Sequence, residues 1–260
     1  MQLTAVKRRF QSYLSGFVAL DDPLRRMLEL KAEHSRRVAE EARALSSALS
    51  WPQPKQHAAE ALGFLHDVGR FPQLAEHGTF SDADSFDHGK RGAAVVRQGN
   101  WLADLSDAES KVVLIGIRHH NARTIPADIP AGSLPLLRLV RDADKLDIFR
   151  VILASVERDG FRDLPSMLPH VTLDREPTPE VIAEVESRRS AALGRIKTLG
   201  DLLLLQTSWV YDVNYRATFR CIQSRDILSR ILAHLDGNPD IHAIVEEARC
   251  HMWRRLETRV

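Results

Sequence analysis

The stretch "FLHDVGRF", Phe64–Phe71, places an adjacent histidine and aspartate directly behind an apolar run. Apolar residues recur at helical spacing upstream of it, from a start near Trp51-Pro52, so we expect the pair at the end of a buried helix. Gly69 and Pro72 are expected to break this helix. A carboxylate that enters an apolar interior is costly unless it is paired or bound to metal, so the aspartate needs a partner.

The rest of the chain also carries helical signals, without an alternating strand pattern or a fixed-period repeat. Asp22 followed by Pro23 predicts an N-cap and a first-turn proline. Ser106–Glu109 has the form of a capping box, and Pro135 is expected to start a long helix. The polar residues 72–87 are expected to form a long loop, of a length that suggests function. We predict an all-α protein.

Prolines between Asp159 and Pro179 mark the best candidate for a connection between domains. The predicted organisation is therefore a histidine-rich helical domain at residues 1–158, a connection at residues 159–179, and C-terminal helices at residues 180–260. These last helices are expected to pack on the first domain or to form a homodimer interface.

Composition narrows the functional classes. Of the 260 residues, 44% are hydrophobic and 27% charged, as in soluble globular proteins. The net charge of +1 provides no global field for nucleic acid or anionic membrane. Cys221 and Cys250 exclude a disulfide framework and favour a reducing compartment. Because neither a signal peptide nor a membrane span is recognisable, we expect a cytoplasmic protein with neither nucleic acid nor membrane as a partner.

Histidine and aspartate side chains point inward from three predicted helices. His34 lies in an apolar stripe, where a single histidine is most often a satisfied core residue. Asp142 and Asp144 cannot face the same way, because two residues along a helix are rotated by about 200°. Asp144 shares the face of Val140, whereas Asp142 shares that of Lys145. We therefore expect Asp144 to point inward and Asp142 to be solvated or salt-bridged.

The three helices together offer His34, His66–Asp67 and Asp144 to one centre. Imidazoles and carboxylates suit a divalent ion such as Mn, Fe, Co, Ni or Zn, and the lack of cysteine argues against a structural zinc site. His88 and His119–His120 offer further nitrogen atoms. Periodicity leaves the choice between His119 and His120 open.

The ordered pattern of His34, His66-Asp67 and Asp144 resembles the H…HD…D signature of the HD-domain superfamily of metal-dependent phosphohydrolases. The stretches "HDVGRF", "GTFSDADSFDHGKRG", "RHHN" and "RDADKLD" resemble one subgroup of that superfamily, over roughly residues 24–155. The resemblance implies an HD-domain helical bundle with a C-terminal helical extension.

The resemblance also implies a cofactor of one or two divalent ions, among Mn, Fe, Co, Ni, Zn and Mg. Asp67 is expected to bridge two ions, and Asn121 favours His120 because the subgroup pattern ends in His-Asn. The implied metal ligands are His34, His66, Asp67, His88, His120 and Asp144, with His119 as the alternative to His120. The other histidines match no family position and are expected to be structural: His57, His77, His170, His234, His242 and His251.

The implied activity is hydrolysis of a small phosphorylated substrate, a nucleotide by analogy with the family, through a metal-activated hydroxide. Arg70, Arg118 and Lys145 are expected to contact phosphate, and Asp67, Arg70 and Lys145 to be catalytic. Asp147 is expected to orient a ligating histidine. Several relatives carry an acid shortly after the HD pair, where this chain has Val68-Gly69-Arg70, so the proton chemistry of that acid is not expected here.

Two other functions fit the same residues. A few members of the superfamily are di-iron oxygenases with nearly this ligand set, and others are non-catalytic signalling or binding modules. The paired histidines are not followed by the Gly-Tyr-Pro stretch of the cyclic-dinucleotide branch, so that substrate is not expected.

Overall fold

The computed structural model describes residues 3–17, 21–164, 168–235 and 238–258. Within these ranges the chain folds into helices and connecting turns without a β-strand, and one isolated parallel bridge joins Thr172 and Thr198. The prediction of an all-α protein is confirmed. No helix in the described ranges is both long enough and apolar enough to cross a membrane.

The chain divides into two compact units, Met1–Asp147 and Ile148–Val260, and the division falls inside one helix. The helices of the first unit, the last of which continues into the second, are α1 (Leu3–Ser15), α2 (Asp22–Ala48), α3 (Gln53–Leu65), α4 (Arg70–His77), α5 (His88–Gln98), α6 (Asp107–His119) and α7 (Leu134–Asp159).

The second unit is helical as well. Its α-helices are α8 (Pro179–Arg188), α9 (Leu199–Ser208), α10 (Arg216–Ser224), α11 (Ile227–Leu232) and α12 (Pro239–Glu257). Two short 3₁₀ helices, Leu193–Arg195 and Trp209–Asp212, flank α9 in sequence. Residues 165–167 of the expected connection lie outside the described residues, and the expected domain boundaries stay a prediction.

Side-chain caps fix where several helices begin. The capping box at Ser106 and Glu109 forms as expected and starts α6. The expected cap of α2 is off by one residue, because the N-cap is Asp21, whose carboxylate accepts a hydrogen bond from the backbone N–H of Leu24. Pro23 still lies in the first turn, where its missing N–H costs no helical hydrogen bond.

The expected loop from residue 72 to residue 87 is wrong in its first part. Residues Arg70–His77 form α4, and Gly78 ends this helix in a left-handed conformation with φ of 67°. Pro72 is the third helical residue, so it lies in the first turn, whose N–H groups lack intrahelical acceptors. Pro72 therefore lies at the start of the next helix, α4, as well as after the end of α3.

Two glycines allow the backbones of the first unit to approach closely. A Cβ atom at Gly63 would lie 2.5 Å from the Cα atom of Ala39, so α3 packs directly against the α2 backbone. At Gly69 a Cβ atom would collide with the carbonyl oxygen of His88. Gly69 has ordinary right-handed dihedral angles, so its role is this close contact with the start of α5.

The middle of α7 is buried around most of its circumference. Leu137, Val140 and Ala143 are fully buried, and so is Asp142, whose exposed fraction is 0%. Of the two alternatives expected for Asp142, the solvated one is therefore wrong, because the two-sided pattern on which it relied does not apply to a helix that is covered on most sides. The salt-bridged alternative stays a prediction.

Candidate metal centre

Ends and first turns of helices bring most of the predicted ligands together in the first unit. His66 caps the end of α3 and Asp67 follows it, while His120 follows the end of α6. His88 is the first residue of α5. His34 and Asp144 come from the interiors of the long helices α2 and α7. Residues separated by more than 100 positions in sequence thus meet in one buried cluster.

The first group of side chains consists of His34, His66 and Asp144. Nε2 of His34 lies 3.1 Å from Oδ1 of Asp144, and Nε2 of His66 lies 3.7 Å from the same oxygen. One ligand atom from each residue lies within 4.8 Å of those from the other two, which is a spacing that can surround a single ion. Oδ2 of Asp67 faces this group, at 3.7 Å from Nε2 of His34 and 3.6 Å from Nε2 of His66.

The second group consists of His88 and His120 and faces the other oxygen of Asp67. Oδ1 of Asp67 lies 3.2 Å from Nε2 of His88 and 3.5 Å from Nε2 of His120. The two Nε2 atoms are 3.1 Å apart. Asp67 therefore presents one carboxylate oxygen to each group of histidines.

The outer nitrogen of each of these four histidines has an acceptor. The acceptors of the Nδ1 atoms are Oδ2 of Asp147 for His34 (2.8 Å), the carbonyl of Gly63 for His66 (2.7 Å), Oδ1 of Asp82 for His88 (2.7 Å) and the carbonyl of Ile117 for His120 (2.8 Å). In a neutral imidazole a donating Nδ1 leaves the lone pair on Nε2. All four lone pairs then point into the centre, as in metal-ligating histidines.

Several inward atoms are buried and make no hydrogen bond. They are Nε2 of His34, Nε2 of His66 and Oδ1 of Asp144. Buried polar atoms without partners are rare and call for an explanation, such as an ion. Because every one of these atoms is a Lewis base, the donor set fits a divalent cation bound by nitrogen and oxygen ligands.

The two central carboxylates are held in their charged form. Burial raises the pKa of Asp67, but the charge of Lys31 and the nearby imidazole of His66 outweigh it, so the pKa lies well below its ordinary value. Desolvation also raises the pKa of Asp144, and neighbouring His34 and His66 bring it well below its ordinary value. Metal ligands must be deprotonated, so both groups are ready to bind.

The histidines differ in their affinity for protons. Burial lowers the pKa of His120 to about 4, so this imidazole is neutral at neutral pH. At His34, burial and Lys31 lower the pKa, but the carboxylates of Asp144 and Asp147 outweigh them and raise it. A proton thus competes with a cation at His34.

Outer carboxylates hold the ligands in place. Asp147 is fully buried, contacts His34, and receives two hydrogen bonds from Arg37, at 2.7 Å and 3.0 Å. Burial raises the pKa of Asp147, but His34 and Arg37 lower it to about 2. Asp82 plays the corresponding part for His88 and accepts hydrogen bonds from Gln73 and Asn121 as well, at 2.9 Å and 3.1 Å.

The predicted phosphate-contacting residues lie in different surroundings. Nη1 of Arg70 donates to Gln73, to the carbonyl of Phe80 and to Asp82, so it ties the 79–87 loop to α4. Arg118 is exposed on α6, and Lys145 is partly exposed next to Asp144.

His119 and His120 are clearly separated by the structure. His119 is partly exposed and does not belong to either ligand group, whereas His120 is buried with its Nε2 atom in the centre. Periodicity could not decide which of the two histidines points inward, because α6 ends at His119 and His120 lies beyond the regular helix.

Three residues of the centre were not predicted from the sequence. Lys31 places its Nζ atom 2.7 Å from Oδ2 of Asp67. Asp82 lies in a loop with several aspartates, where no periodicity selects one of them. Arg141, which is buried in α7, donates a hydrogen bond of 2.9 Å to the carbonyl of His120. Of these, Lys31 alone had a usable signal, because it precedes His34 by three residues on one helix face.

The first unit is an all-α unit in which buried histidines and aspartates converge, and these groups could hold a metal ion. Residues 32–148 match the family model of the HD domain. The matched range contains all six predicted ligands. No curated protein and no solved structure gives a significant match to the chain. The narrower assignment to one subgroup stays a prediction.

Proposed function

We propose that this protein is a metal-dependent phosphohydrolase that acts on a small phosphorylated substrate, with a nucleotide as the first class to test. The observation that carries the proposal is the pair of ligand groups on either side of Asp67, the first of which has inward atoms that lack hydrogen bonds. The match of residues 32–148 to the HD domain model supports the same function, because metal-dependent phosphohydrolases are the majority of that family.

Each ligand has a defined part in this proposal. His34, His66 and Asp144 would hold one cation, His88 and His120 a second, and Asp67 would be a ligand of both. When bound, divalent cations supply the Lewis acidity that activates water and neutralises charge on phosphoryl oxygens. Asp147 and Asp82 keep the Nε2 lone pairs of His34 and His88 directed inward, since both accept from Nδ1.

Cationic side chains near the centre complement an anionic substrate. We retain Lys145 and Arg118 as proposed phosphate contacts, because both are at least partly exposed. Arg70 supports the site mainly by holding the loop that carries Asp82, since its Nη1 atom already has three acceptors.

The decisive experiment is a screen of phosphate release by the purified protein. The protein is loaded with Mn, Co, Ni or Mg and offered nucleoside mono-, di- and triphosphates and cyclic nucleotides. Metal-dependent turnover of one of these classes, lost in Asp67→Ala, is the expected result. Absence of turnover on every class contradicts the proposal. Oxygen consumption by anaerobically iron-loaded protein with an organophosphonate or polyol would then identify an oxygenase.

A further inference from the structure

Lys31 introduces a positive charge directly into the centre. It precedes His34 by three residues in α2, so both side chains lie on one face of the helix. Its Nζ atom is 2.7 Å from Oδ2 of Asp67, the oxygen that faces His34 and His66. The ammonium group therefore lies against the proposed ligands of the first cation.

The same residue lies where the centre meets solvent. The side chains of Lys31 and Asp144 are 24% and 23% exposed, whereas that of His66 is 0% exposed. A substrate can therefore approach beside Lys31 and Asp144. The ring of Phe80 lies 5.6 Å from Nζ of Lys31 and forms a cation–π contact that keeps the ammonium group at this opening.

The contact between Lys31 and Asp67 competes with a cation. An ion held by His34, His66 and Asp144 would also take Oδ2 of Asp67 as a ligand, and like charges repel at such short range. The ammonium group would then need another anionic partner. The lysine side chain is flexible and carries three donors, so it can turn to an anion at the opening without a change in the helix.

Arg70 does not have this freedom. Nη1 of its guanidinium group donates to Gln73, the carbonyl of Phe80 and Asp82. Its Nε atom lies 3.6 Å from Oδ1 of Asp67, and the side chain is 17% exposed. Lys31 pairs with Asp67, whose oxygens also face the ligand groups. Of these two cations, Lys31 is therefore the better placed to bind a substrate anion.

We propose that Lys31 binds a non-bridging phosphoryl oxygen of the substrate when the centre holds its cations, and that it thereby selects substrates with an accessible anionic phosphate. This inference rests on the proposed phosphohydrolase function. In this role Lys31 binds the substrate and is not a ligand of the metal.

The test measures binding of inorganic phosphate to the Mn-loaded full-length protein by isothermal titration calorimetry, together with Mn affinity. Lys31→Met removes the charge at nearly constant length, and Lys31→Arg keeps it. The exposed Lys111 provides the matched control Lys111→Met. Loss of a charge-assisted hydrogen bond should weaken phosphate binding about 10- to 100-fold in Lys31→Met. Lys31→Arg should retain most of the affinity, and Lys111→Met all of it.

Mn affinity separates this role from a structural one. Because the ammonium group competes with the cation for Asp67, Lys31→Met should bind Mn as tightly as the wild type or more tightly. Equal phosphate affinity in Lys31→Met and wild type, no phosphate binding by the wild type, or loss of Mn from Lys31→Met would each overturn the inference. Phosphate binding that depends on Lys31, without turnover of any phosphoester, supports the inference and contradicts the proposed function.

Discussion

Two aspartates of this protein are almost equally buried but have opposite surroundings. Asp67 in the first unit is 3% exposed and Asp201 in the second unit is 0% exposed. Asp201 accepts hydrogen bonds from the backbone N–H groups of Thr178 (2.7 Å), Lys197 (2.9 Å) and Thr198 (3.2 Å), and from the hydroxyl group of Thr178 (2.9 Å). Apart from Lys31 and Nε of Arg70, which lies 3.6 Å from its Oδ1 atom, Asp67 faces the Nε2 atoms of histidines whose rings use Nδ1 as the donor.

The difference shows that burial of a carboxylate does not by itself indicate function. Asp201 is surrounded by donors, which satisfy it, and it forms a capping box with Thr198 at the start of α9. Asp67 faces the lone pairs of histidine Nε2 atoms, and a cation stabilises a carboxylate and lone pairs that lie close together. The direction of the neighbouring hydrogen atoms therefore separates the structural aspartate from the proposed metal ligand.

The largest expected effect is on Asp67 itself. Asp67→Ala removes the one carboxylate that faces both ligand groups, so phosphoester turnover should fall at least about 1,000-fold, equivalent to about 4 kcal/mol in transition-state free energy. Steady-state kinetics on the substrate found in the screen measure this loss. Circular dichroism confirms that the variant is folded. A folded variant within tenfold of wild-type turnover would show that Asp67 is structural, like Asp201.

Removal of the metal should lower the free energy of unfolding, and this effect should depend on Asp67. Ligands that bind only the folded state stabilise it by mass action, so Mn at 100 times its dissociation constant should add about 2.7 kcal/mol to the free energy of unfolding. Urea unfolding with Mn and with EDTA measures this difference. The stability of Asp67→Ala should not respond to Mn, and an equal response in this variant would contradict the assignment.

Substitution of the other aspartate should show the reverse behaviour. Asp201→Asn places an amide N–H₂ group against backbone donors, and its unfolding free energy should fall by about 2 kcal/mol. Mn stoichiometry should stay at the wild-type value. The exposed Asp104 gives the control Asp104→Asn, for which stability should change by less than about 0.5 kcal/mol. Loss of Mn from Asp201→Asn would contradict the distinction between a structural Asp201 and a metal-binding Asp67.

The smallest predicted effect concerns the residue that orients His88. Asp82→Asn keeps an acceptor but removes the charge beside Nδ1, and such outer partners are worth about tenfold in metal affinity. Calorimetric Mn titration should show this weakening in one of two binding events if two ions bind. Unchanged Mn affinities in both binding events would show that Asp82 stabilises its loop without affecting metal binding.

The sequence predicted the centre and one of its supports, Asp147, but not the support of His88. His34 and Asp144 were found because helical spacing fixes which face a side chain occupies, and the HD pair stood out as charge behind an apolar run. The same reasoning allowed a solvated Asp142, which is wrong because α7 is covered on most sides. Asp82 was not identifiable, because a loop has no period and its selection depends on tertiary contacts with His88 and Asn121.

The most direct test of the central claim is the number of divalent ions bound per chain. Elemental analysis after Mn loading and desalting should give one or two ions per wild-type chain and a clear loss in Asp67→Asn, which preserves the shape of the side chain. A wild-type protein that binds no divalent ion, with Asp67→Asn equally stable and equally metal-free, would contradict the account of the centre.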